Sequence, residues 1–171
     1  MLVDNEPSGA VFTDERTHRL YLWRRWSRED SWVMFIGINP STADERLNDP
    51  TVRRCMGFAA SWGYGGMFMC NLFSLVSPYP SVLNTENNLE RGTDLAMRVI
   101  RERCKIAVAA WGALIVKVKD GEDRVNRVEQ NLSPLFCFGL TSKGYPRHPL
   151  YLPKDTQLVE YLRRKDIRSV K

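Results

Sequence analysis

Histidine is the scarcest reactive residue here: only His18 and His148 occur in 171 residues. Zinc centres built on paired histidines, and most two-histidine mechanisms, are thereby excluded. Cysteine is nearly as rare. Cys55, Cys70, Cys104 and Cys137 form no C-x-x-C pair and each sits in an apolar stretch, so they read as reduced core thiols, with no metal cluster. Long hydrophobic runs are also missing. The longest, Ile106 to Val116, has eleven residues, whereas a membrane-spanning helix needs roughly 20. The opening Met1-Leu2-Val3-Asp4-Asn5-Glu6 has no basic stretch followed by an apolar core, the mark of a secretory leader. A cytoplasmic protein with no membrane partner is expected.

What is present suffices for one ordinary domain over residues 1–171. Hydrophobic residues make up 43% of the chain, enough to fill a core without staples. Lys plus Arg number 25 against 20 Asp plus Glu, a net charge of +5. That surplus fits an anionic partner, although part of it lies in the tail 162–171, the expected solvated end of a terminal helix. No cofactor and no obligate protein partner is indicated.

Periodicity orders the chain into strands alternating with helices. Residues 10–13 and 19–26 predict an N-terminal β-hairpin within an extension over 1–30, followed by an α/β core over 31–165. Trp32 to Ile38 is a continuous apolar run closing on Gly37, Asn39 and Pro40, a buried strand ending in a tight loop. Asp49 and Pro50 open a helix over about 50–62. Met67 to Val76, Ile106 to Trp111 and Leu135 to Leu140 predict three further strands. Helices are expected over 89–104 and about 122–131, with a closing helix over 156–164. The predicted architecture is a three-layer α/β/α sandwich around a mostly parallel four-stranded sheet, plus the N-terminal hairpin, which could be a lid, an interface or an extra sheet edge. Ligands of such sheets sit beyond the carboxyl ends of the strands. The informative residues are therefore Asn39 to Asp44, Asn71 to Phe73, Trp111 to Ala113 and the stretch 141–153.

Two of these stand out. Asn71 lies inside an apolar strand, and burying a carboxamide without partners costs roughly 1–3 kcal/mol, so it either braces a loop or reads a ligand edge. Its donor and acceptor suit the Watson–Crick edge of a pyrimidine. His148 is flanked by Pro146 and Pro149, which points to a side chain whose orientation matters.

Gly37-Ile38-Asn39-Pro40, Trp62-Gly63 leading to Asn71, Trp111-Gly112 and His148-Pro149 together resemble the motifs of the uracil and mismatch-thymine DNA glycosylase superfamily. The string from Gly-Ile-Asn-Pro-Ser-Thr-Ala-Asp to Arg-His-Pro-Leu-Tyr is also similar to a small bacterial and phage domain family of unknown function. The resemblance covers about residues 33–164. It implies a uracil-DNA-glycosylase-like fold and base excision: a flipped nucleotide whose N-glycosidic bond is hydrolysed through an oxocarbenium-like sugar. Asn39 would hold the attacking water, His148 would donate to the base oxygen as charge develops there, and Asn71 and Phe73 would bind the base. Leu152, four residues after the histidine, is carried over as a wedge for the vacated stack.

The departures shape the expected substrate. Position 39 carries Asn where efficient members carry Asp; Asp44 and Asp49 could each supply the missing negative charge, and Asp44 is the favoured source because Asp49 is explained more simply as a helix N-cap. Ser41 and Thr42 are small where the uracil-specific branch closes the pocket with a tyrosine, so a group on carbon 5 of the pyrimidine would be admitted. The expected substrate is a 5-substituted pyrimidine, such as hydroxymethylated or glucosylated cytosine of phage DNA, excised in defence or repair. Arg53 and Arg54 in the first helical turn, with Lys143 and Arg147 beside the histidine, would contact DNA phosphates. Leu150 and Tyr151 replace the Ser and Pro of the superfamily's histidine loop. Other readings of the same residues are a glycosidase for free nucleosides or nucleotides, a non-catalytic nucleic-acid-binding module, and a cysteine hydrolase using His148, which the apolar setting of every thiol disfavours.

Overall fold

The computed structural model describes residues 7–162. Two antiparallel strands come first, β1 (Ser8–Phe12) and β2 (Arg19–Arg25). They are followed by β3 (Trp32–Gly37), α1 (Pro50–Ser61), β4 (Gly66–Asn71), α2 (Glu90–Arg103), β5 (Ile106–Ala109), α3 (Gly121–Leu132), β6 (Phe136–Cys137) and β7 (Val159–Glu160). The four expected strands β4, β3, β5 and β6 lie side by side and parallel. They are not the whole sheet. The order is β1-β2-β4-β3-β5-β6-β7, seven strands and mixed, because β2 pairs antiparallel with β4 and β7 antiparallel with β6.

Alternation along β3 separates two apolar layers. Val33 and Phe35 join Leu22, Met67 and Met69 beneath Val52, Cys55, Phe58 and Ala59 of α1. Met34 and Ile36 face the other way, against Met97 and Ile100 of α2 and Val125, Val128 and Leu132 of α3. All four cysteines are free and buried within these layers. Asp49 starts α1 by accepting from the Val52 N–H at 2.8 Å, with Pro50 at the first helical position.

Three expectations require correction. The sheet is not limited to four mostly parallel strands: the hairpin joins it through β2, whose Arg19 lines the candidate site. The closing helix over 156–164 does not form in its described part; Val159–Glu160 is a strand on the free edge of β6, and the Tyr161 N–H continues that pairing to the Leu135 carbonyl at 2.9 Å. An open edge with unpaired backbone groups outcompetes one isolated turn of helix. Residues 163–164 lie outside the described residues. The strands predicted over 67–76 and 135–140 are shorter, because the ladder ends at Asn71 and at Cys137 where the chain bends into loops.

Candidate active site

Strand β3 sits where the connections diverge: the crossover through α1 leads to β4 on one side, and β5 lies on the other. At such a switch point the loops leaving adjacent strands part and open a crevice. A cavity of about 230 Å³ occupies that position. Its wall includes Gly37 to Asn39 and Ser41 after β3, Asp49 and Thr51 at the start of α1, Asn71 at the end of β4, Trp111 to Leu114 after β5, and His148.

Asn39 donates through Nδ2 to the carbonyls of Pro40 (2.9 Å) and Ser77 (2.6 Å), tying the loop after β3 to the one after β4. Its Oδ1 accepts no hydrogen bond among the described residues, which leaves an oriented acceptor. His148 caps the 3-10 turn Pro149–Tyr151, its Nδ1 accepting from the Leu150 N–H at 3.3 Å. In the neutral ring the proton then sits on Nε2. Burial pushes the His148 pKa below its ordinary value, with Asp49 opposing, so the neutral ring prevails near pH 7. Gly112 underlies this histidine: its φ is +71°, and a Cβ there would lie 3.0 Å from His148 Cβ.

Asn71 is 3% exposed, and its Oδ1 accepts from Arg19 Nη2 at 3.0 Å. Arg19 is 2% exposed and also donates Nη1 to the Ala43 carbonyl at 2.8 Å. Burial lowers its pKa to about 10 against the attraction of Asp49, so it remains a cation. A bulge puts it there. Val11 pairs with Tyr21 and Phe12 with Arg19, so Leu20 is an extra residue in β2 and Arg19 comes to the same face as Leu22 and Arg24. Arg24 completes the scaffold, donating to the carbonyls of Asp44 (2.6 Å) and Leu47 (3.0 Å) and to Asn48 Oδ1 (2.7 Å). Two buried arginines of β2 thus hold the loop between β3 and α1.

Of the residues expected from the sequence, Asn39, Ser41, Asn71 and His148 meet in this cavity. Several others do not. Asp44 lies outside the wall, where its Oδ1 accepts from the N–H groups of Arg46 (2.8 Å) and Leu47 (2.7 Å); these bonds hold its carboxyl below the ordinary range. It shapes the loop, and the cavity carboxylate is Asp49. The sequence offers Asp49 as a source of charge but favours it as an N-cap; in the structure its Oδ1 caps α1 and the residue also lines the cavity. Thr42 is exposed and outside the wall, and Phe73 is buried in the layer beneath α2 and α3. Leu152 is 6% exposed and packs into the α1 layer, so it does not project as a wedge. Arg54 donates to the Leu152 carbonyl and lies over the Phe58 ring at 4.6 Å, an internal brace. Arg53 is exposed but donates to the Asn48 carbonyl, while Lys143 and Arg147 are exposed on the loop before His148. Arg19, Asp49, Thr51 and Trp111 also line the wall, and an arginine inside an apolar strand was the available sign of the first.

Chemically, the cavity offers an oriented acceptor at Asn39, a carboxylate at Asp49, and N–H donors at Asn71 and His148 beside a buried cation. Among the described residues, no group of three or more His, Cys, Asp or Glu is arranged to hold a metal ion. No described helix is long and apolar enough to cross a membrane. Neither a curated protein nor a solved structure matches the chain. Residues 19–150, which contain every residue of the cavity wall from Arg19 to His148, match the family described as "Protein of unknown function (DUF1643)", and the chain belongs to that family.

Proposed function

We propose that this chain is a DNA glycosylase that takes a flipped, 5-substituted pyrimidine into the cavity at the β3 switch point and hydrolyses its N-glycosidic bond. The observation that carries it is the meeting of Asn39, Asp49, Asn71 and His148, contributed by four separate segments, at one end of the parallel strands. At about 230 Å³ the cavity is smaller than the roughly 300–1,000 Å³ typical of sites for drug-sized ligands, which suits a single ring.

In the reaction, water adds to C1′ of the sugar while the C1′–N1 bond breaks, its electron pair leaving with the base; the added water gives up one proton to solvent and the departing base takes one up, leaving a C1′ hydroxyl and the free base. Asn39 Oδ1 orients the water. The Asp49 carboxylate opposes the positive charge that develops on the sugar, a role for which Asn39 has no charge. His148 Nε2–H donates to the base oxygen, where negative charge grows in the transition state. Asn71 holds the base edge, and Ser41 leaves room beside the ring for a carbon-5 substituent. Lys143 and Arg147 lie free to contact phosphates.

The test is incubation with a uracil-containing DNA and with phage genomic DNAs containing unmodified, hydroxymethylated or glucosylated cytosine, scoring abasic sites and released bases by mass spectrometry. Release of a modified base by the wild type, lost in Asn39→Ala, is the expected result. Faster release of uracil than of any 5-substituted pyrimidine would exclude the substrate class, and no release from any DNA would exclude the chemistry.

A further inference from the structure

Arg19 is an almost fully buried cation in the cavity wall with no carboxylate bonded to it among the described residues; its partners are a carbonyl and a carboxamide. A guanidinium has only donors, so the Asn71 atom facing it must be the oxygen. Turning the carboxamide over would set N–H against N–H inside a buried site. Asn71 Nδ2 therefore points away from Arg19, toward Gly37 in the cavity wall, where an added Cβ would come within 2.8 Å of it. Among the described residues this Nδ2 has no acceptor.

We propose that Arg19 is a specificity-determining residue: it locks Asn71 so that the cavity presents a fixed N–H donor. The ring it accepts must then offer an acceptor at that point, as N3 of a cytosine-type base does and N3–H of uracil or thymine does not. This rests on the cavity being a base pocket. A carboxamide free to turn would serve either edge, so discrimination comes from the arginine that fixes Asn71.

The experiment is titration of the full chain with 2′-deoxycytidine, 2′-deoxyuridine and 3-deaza-2′-deoxycytidine, whose ring carries C–H in place of N3, followed by heteronuclear NMR. Deoxycytidine is expected to bind more tightly than the other two by roughly 5- to 150-fold, the range for leaving one buried donor unpaired. In Arg19→Met the ratio should collapse toward one, as Asn71 becomes free to turn. Asn71→Asp keeps a partner for Arg19 but leaves only acceptors facing the cavity, so the preference should invert toward deoxyuridine; this variant serves if Arg19→Met does not fold. Equal binding by the wild type, preference for deoxyuridine, no binding of any nucleoside at millimolar concentration, or an unchanged ratio in either folded variant would overturn the assignment. Selective nucleoside binding without base release from any DNA would defeat the glycosylase reading and leave the role of Arg19 standing. Base release with a ratio near one would do the reverse.

Discussion

Asp49 performs two tasks with one side chain, and substitutions separate them. Its Oδ1 caps α1 while the carboxylate lines the cavity. Asp49→Asn keeps an N-cap and removes the charge, so thermal stability should hold while base release falls by roughly 10²- to 10⁴-fold. Asp49→Ala should lose the same activity and, in addition, about 1 kcal/mol of stability. Equal activity in Asp49→Asn and wild type would take Asp49 out of the chemistry. His148 makes a second residue-level prediction. Its pKa lies below the ordinary 6.5 because burial disfavours the charged ring. The unfolded chain then binds more protons as pH falls through 6.5, so the contribution is complete above that value and declines toward the lower folded pKa. His18 shifts in the same direction, whereas Asp44 and Glu45, held below their ordinary 3.8 and 4.5, act only in more acid solution. The melting temperature should therefore drop between about pH 7 and pH 5, and less so in His148→Asn, which can still accept from the Leu150 N–H.

At the scale of elements, α2 and α3 are joined to the end of β4 by one buried cation. Arg124 donates to the Leu72 carbonyl and pairs with Asp94, with its own side chain fully buried and that of Asp94 15% exposed. Leu72 directly follows Asn71, so the cavity-facing strand end is braced from the far side of the sheet. Asp94→Ala would strand a buried guanidinium, and a loss of roughly 3–5 kcal/mol in chemical denaturation is expected. The exposed Lys119–Glu86 pair at 3.4 Å provides the contrast, since cutting it should change stability by less than about 1 kcal/mol. The bulge at Leu20 acts at this scale too, since one extra residue in β2 turns an arginine from one face of the sheet to the other.

For the whole molecule, charge sets what the proposed DNA binding would look like in solution. The chain carries +5, and Arg53, Lys143 and Arg147 are exposed on segments that flank the cavity wall. If Lys143 and Arg147 each neutralise one phosphate, changing both to Ala should weaken binding evenly across sequences and reduce the slope of log affinity against log salt by about two. An unchanged slope would move the DNA to another face.

The helices, the four parallel strands and the burial of the cysteines were legible in the sequence because each follows from local periodicity, and period 2 or 3.6 needs no knowledge of what packs opposite. Asn71 and His148 were legible for a related reason: a carboxamide in an apolar run and a histidine between prolines are locally anomalous. What tertiary structure alone decided is pairwise. It set two carboxylates five residues apart on tasks opposite to those expected: Asp44, expected to supply charge, holds its own loop, and Asp49, expected as a cap, also lines the cavity. It buried Leu152 and tied up Arg54, whose exposure depends on how the turn at Pro149 meets α1. It also brought Arg19 to Asn71, fifty-two positions later, through a bulge and an antiparallel pairing that only the folded sheet specifies. Local pattern determines which face of an element is apolar; register and loop closure determine which polar groups meet, and the chemistry resides in those meetings.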